Sequence, residues 1–150
     1  GGELRAALGA AVAGEIRTRG VVLVDAAGRE RGAFRVDAAG HPQLHLADGE
    51  GRRRCVLSLD EGGHAALELY DATGTARGVL SLDPAGHAAL DLYDASGETR
   101  SVFGFDTEGN PSVDLYDAAG IQRGVLGFDA TGALTLGLFD AEGQPVWTAP

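Results

Sequence analysis

Asp83-Pro84-Ala85-Gly86-His87-Ala88-Ala89-Leu90-Asp91-Leu92-Tyr93-Asp94-Ala95-Ser96-Gly97 decides the fold, because it holds one strand between two tight turns. Asp accepts a hydrogen bond from the backbone two residues on, Pro suits the second position of a type I turn, and Gly takes the φ > 0 position that closes it. Between the turns, apolar and polar residues alternate with period two, the mark of a strand with one buried face.

Working outward, Asp-x-x-Gly begins at Asp25, Asp37, Asp48, Asp60, Asp71, Asp83, Asp94, Asp106, Asp117, Asp129 and Asp140. The spacing alternates between 12 and 11 residues, so the true repeat is 23 residues long and contains two turns. Four-residue turns after every strand favour an antiparallel meander over a parallel solenoid, whose neighbouring strands need long crossovers. The expected fold is therefore all-β: about twelve short antiparallel strands over residues 20–150, preceded by a helix over residues 3–19. That helix is read from Leu4, Leu8, Val12 and Ile16, which recur every four residues.

The two turn classes imply different registers. A Gly bulge at the longer-period turns pairs Leu80 with Leu90 and Leu82 with Ala88. Direct pairing of Asp71 with Gly74 at the shorter ones sets Leu67 opposite Gly78 and Leu69 opposite Ala76. Either way Leu, Val and Phe gather on one face, from Phe34 and Val36 to Leu136 and Leu138. The other face then carries the repeat arginines Arg31, Arg54, Arg77, Arg100 and Arg123. Three of them are expected between an acid and a ring: Glu68–Arg77–Tyr93, Asp91–Arg100–Tyr116 and Asp114–Arg123–Phe139.

A flat sheet with one face of Leu and Phe in water needs a cover. Strands of seven or eight residues span roughly 25 Å, and a triangle of that side holds its walls roughly 7 Å from the centre, a gap that Leu and Phe fill. The expected assembly is a homotrimeric β-prism, with a flattened monomeric barrel as the alternative.

Composition narrows the function. The chain has 12 basic against 22 acidic residues, a formal net charge of −10, and every basic residue is Arg. Nucleic acid is an unfavourable partner, since the densest basic run is only Arg52-Arg53-Arg54 beside a turn. Cys55 is the single cysteine, so no intrachain disulfide forms. No apolar stretch reaches the roughly 20 residues of a membrane-spanning helix, so no direct membrane insertion is expected of this segment. Starting at Gly1-Gly2 without any Met, the chain reads as trimmed, and any targeting or anchoring segment could have been removed.

The unit Leu-x-Leu-Tyr-Asp-x-x-Gly-x-x-Arg-x-Val-Leu-x-x-Asp-x-x-Gly, in near form from Leu90, with the Trp147-Thr148-Ala149-Pro150 ending, resembles a group of uncharacterised bacterial tandem-repeat proteins. The likeness covers residues 20 to 150. It implies a β-meander and brings no catalytic or ligand residues. A weaker likeness, through Tyr70-Asp71, Tyr93-Asp94 and Tyr116-Asp117, is to the Tyr-Asp repeats of large bacterial toxin shells.

No constellation stands out from the repeat as an active site, and no cofactor or metal is expected. Each turn offers one Asp, usually beside Ala, where calcium needs six to eight converging oxygens. His41, His64 and His87 recur every 23 residues, and alignment on alternate strands sets them roughly 9–10 Å apart, too far to share a metal. Cys55 fills the slot of Gly32, Gly78, Ser101 and Gly124 and reads as a small residue. Tyr70, Tyr93, Tyr116 and Phe139 form an aromatic row, the best candidate for recognition of a glycan. The expectation is thus a non-catalytic structural or display module, a stalk or spacer suited to a cell surface. A glycan-binding module and a scaffold for another protein are the alternatives.

Overall fold

The computed structural model describes residues 17–106 and 108–149. Twelve strands follow in chain order: β1 (Gly20–Val24), β2 (Glu30–Val36), β3 (Pro42–Ala47), β4 (Arg53–Leu59), β5 (Ala65–Tyr70), β6 (Ala76–Leu82), β7 (Ala88–Tyr93), β8 (Thr99–Phe105), β9 (Pro111–Tyr116), β10 (Gln122–Phe128), β11 (Leu134–Phe139) and β12 (Pro145–Ala149). They form one antiparallel sheet in sequence order. β1 and β12 each pair with a single neighbour, so the sheet is open and the barrel alternative is excluded. The expected helix over 3–19 lies largely outside the described residues, and Arg17 and Thr18 at its end are not helical.

All eleven turns share one construction. The Asp N–H donates to the carbonyl four residues on, and the Gly N–H returns to the Asp carbonyl, as in Asp83 with His87 (2.9 Å) and Gly86 with Asp83 (2.9 Å). Asp Oδ1 accepts the N–H groups two and four residues ahead, at 2.8 Å from Ala85 and 2.9 Å from His87. Every turn glycine has φ between 76° and 98°, where a Cβ is disfavoured. Four N–H groups of each turn are thereby satisfied locally, which is why Asp and Gly recur so strictly.

The turns define two sheet edges. Those at Asp25, Asp48, Asp71, Asp94, Asp117 and Asp140 make the arginine edge, and those at Asp37, Asp60, Asp83, Asp106 and Asp129 make the histidine edge. At the histidine edge the pairing is as expected, Leu80 with Leu90 and Leu82 with Ala88. At the arginine edge the expectation fails: Leu67 pairs with Leu80, Leu69 with Gly78 and Tyr70 with Ala76. Between the last two pairs the register slips by one residue, and Arg77 is left over in a β-bulge. The same slip isolates Arg31, Arg54, Arg100 and Arg123. Both turn classes are thus alike, and the 12-residue interval is longer because it contains the bulged arginine.

The faces are sharply sorted. From β2 to β11 one face carries no charged residue, yet Phe34, Leu80, Leu90, Phe103 and Leu126 of its central row are 58, 47, 37, 47 and 41% exposed. The only buried apolar residues among those described are Ala33 and Val56, on the other face. One sheet layer has no interior of its own.

Candidate functional site: the arginine edge and polar face

The bulge determines what each repeat arginine can reach. Lacking a cross-strand partner, it extends along the edge to the next turn, and Arg54, Arg77, Arg100 and Arg123 also hold the Asp of their own turn. Arg77 donates from Nε to the Tyr93 carbonyl (3.1 Å) and sets Nη1 3.5 Å from Asp71 Oδ2. Arg54 does the same with Tyr70 O (2.9 Å) and Asp48 (3.3 Å), and Arg123 with Phe139 O (2.9 Å) and Asp117 (3.1 Å). Arg100 grips Asp94 from Nε (2.9 Å) and Nη2 and reaches the Asp117 carbonyl. Arg31 donates to the Asp48 carbonyl at 2.7 Å. These clamps replace the expected acid–arginine–ring ladder. Among the described residues no arginine pairs with Glu68, Asp91 or Asp114, because the bulge moves the guanidinium toward the turns.

The three acids instead lie in the middle row of the polar face. Glu68 faces Val56 and Val79, Asp91 faces Val79 and Val102, and Asp114 faces Val102 and Val125. Burial among these valines pushes the Asp91 carboxyl up from its ordinary value. Asp114 is held by the Ser112 hydroxyl (3.0 Å) and the Gln122 amide (2.5 Å). Tyr70, Tyr93 and Tyr116 stand half-buried beside the arginine-edge turns, on alternate strands with Phe139. Burial first, then Glu68, Asp91 and Asp114 respectively, push their phenols up. The structure therefore groups rings with acids and arginines with turns, a division that the bulge creates.

The histidine edge repeats a smaller motif. His41, His64 and His87 place Nδ1 3.6, 3.0 and 3.3 Å from Asp37, Asp60 and Asp83, each within its own turn. His87 also leans on Phe105, with ring centroids 5.5 Å apart. In the first repeat His45 holds the slot of the acids: it is 3% exposed, with Nε2 2.8 Å from Glu30, and Arg35 lies 2.6 Å from the same carboxylate oxygen. Sequence reading missed this triad, whose only signal was a histidine where later repeats have Glu or Asp. Among the described residues no group of three or more His, Cys, Asp or Glu converges as metal ligands.

Acid stability follows from the turns. The Thr73 hydroxyl first, then the N–H groups of Thr73 and Thr75 and the Arg77 guanidinium, hold Asp71 down at about 2. Asp48, although partly desolvated, is drawn to about 2 by Arg52, Arg54 and backbone donors. Eight further turn aspartates shift in the same direction. A carboxylate with a depressed folded-state pKa adds stability above its unfolded value near 4 and loses it as pH falls through the folded value. The urea midpoint is therefore expected to hold steady from pH 7 to pH 5 and to fall between about pH 4 and pH 2. Asp91, shifted the other way, should oppose the trend weakly, so Asp91→Asn should raise the midpoint at pH 7.

Compared with protein-family models and with curated proteins, the chain matches none.

Proposed function

We propose that this chain is a structural repeat module, a stalk or spacer, that works by homotrimeric assembly and carries out no catalysis. The observation that carries the reading is the uncharged face of Leu and Phe running the length of an open sheet. Its central residues Phe34, Leu80, Leu90, Phe103 and Leu126 stay 37–58% exposed in the single chain, a continuous apolar surface of the kind that marks an interaction face. Three sheets around one axis bring their apolar faces together and leave the acids, rings and clamps outside. Twelve strands at about 4.8 Å make a segment about 55 Å long, and each further 23-residue unit lengthens it by two strand spacings.

Light scattering of the purified chain tests this. The expected mass is three times the 15.3 kDa of one chain, and a strictly monomeric mass refutes the assembly. A second reading draws on the half-buried tyrosines standing beside carboxylates, which suits an extended glycan lying along the arginine edge. Under that reading, replacing Tyr93 and Tyr116 together by Ala abolishes binding on a glycan array. Under the structural reading, the replacement changes stability alone.

A further inference from the structure

The pattern of large and small residues on the apolar face goes beyond the bare existence of an assembly. From β2 to β10 each strand presents three residues there, and the first is always small or Pro while the last is large. β6 reads Gly78, Leu80, Leu82, and β7 reads Ala88, Leu90, Leu92. Because the strands alternate in direction, the small end falls at the arginine edge in β6 and at the histidine edge in β7. Each edge is therefore a row of knobs and notches, and the two edges are out of phase by one strand.

The chain's own packing does not call for a glycine at position 78. Its φ is not positive, and an added Cβ would sit 3.6 Å from Leu92, an ordinary contact. Gly124 is alike, with 3.7 Å to Leu115. At Gly32 an added Cβ would meet the His45 carbonyl at 2.7 Å, so the chain itself requires that glycine; at 78 and 124, where glycine only weakens the strand, it suits close approach by another chain. Gly78 is the low point between Leu69 and Leu92, which are 49 and 39% exposed and close over it, so that the glycine itself is buried.

Resting on the trimeric reading above, we propose that neighbouring copies meet arginine edge to histidine edge in strict register, each strand level with the same strand of the next copy. At the β6 level, Leu82 of one copy packs over Gly78 of its neighbour, between Leu69 and Leu92. At the β7 level the roles reverse, with Leu92 set against Ala88. From β2 to β10 every corner level then receives one large and one small side chain, whereas a stagger of one strand sets large against large and small against small. The copies consequently run parallel, with all first repeats at one end.

Native Cys55 reports on this directly, since it fills the β4 notch and in-register packing brings it to Leu59 of the next copy. Within one chain, residues 55 and 59 are about 13 Å apart along a strand, beyond the roughly 7 Å limit for a disulfide. The full chain carrying Leu59→Cys is oxidised and run on a non-reducing gel, beside the wild type and Leu82→Cys. The expected result is covalent dimer and trimer from Leu59→Cys and none from the other two. A wild-type mass of three chains with crosslinks absent from Leu59→Cys, or present in Leu82→Cys or the wild type, overturns the register and leaves the trimer standing. Crosslinking that stops at two chains keeps the register and overturns the three-fold assembly, and a monomeric wild-type mass overturns both.

Discussion

Leu80→Asp should reduce the particle mass from three chains toward one. Leu80 sits in the central row of the apolar face, is 47% exposed in the single chain, and pairs with Leu67 on one side and Leu90 on the other. In the proposed prism that row lies nearest the axis. Because only its exposed half is covered on assembly, losing a Leu there removes roughly 0.7–1.5 kcal/mol of burial from each chain, or about 2–4 kcal/mol from a trimer. Placing three carboxylates around a shared dry axis adds a desolvation penalty of several kcal/mol per ion. At about 1.4 kcal/mol per tenfold change in an equilibrium constant, the association constant falls by at least three orders of magnitude. Val79→Thr, one residue away on the opposite face, is the control and should leave the mass unchanged. Equal masses for Leu80→Asp and the wild type would rule out the buried axis.

Two single-residue deletions in β6 should behave oppositely. Removing Arg77 takes out the bulged residue, so Tyr70 still faces Ala76 and Leu69 still faces Gly78, with Leu80 and Leu82 on the apolar face. The loss is limited to the clamp on Asp71 and the Tyr93 carbonyl, and a folded assembly with a lower melting temperature is expected. Removing Val79 takes out a paired residue and turns Leu80 and Leu82 to the polar face, because side chains alternate strictly along a strand. Two lost leucines cost about 3–6 kcal/mol per chain, and Ser81 turns from the polar face toward the apolar one. Circular dichroism melts and particle mass separate the cases: the Arg77 deletion melts cooperatively as an assembly, while the Val79 deletion unfolds or aggregates. Equivalent behaviour of the two would mean that Arg77 is not in a bulge.

These deletions also mark where sequence reading succeeded and where it stopped. The Asp-x-x-Gly turns, the strand count, the antiparallel order and the sorting of apolar residues to one side follow from local rules, since Asp, Gly and period-two alternation act within a few residues. The histidine-edge register followed from the same turn chemistry. The arginine-edge register did not, because the extra residue of the 12-residue interval was assigned to a difference between turns. The alternation in spacing was visible, but only the pairing of Leu69 with Gly78 shows that the surplus lies in the strand. With that register went the expected contacts of Glu68, Asp91 and Asp114 with the arginines, since a shift of one position carries a guanidinium from a neighbouring acid to a turn.

The sequence by itself determined that this protein is a repeating antiparallel meander with one apolar face, because each turn and strand is specified by residues adjacent in the chain. Only the tertiary structure decided that the sheet stays open, that the arginines leave the ladder to clamp successive turns, and that large and small side chains alternate along both edges. Those features depend on which strands sit side by side and on a one-residue slip between them, and no local segment contains that information.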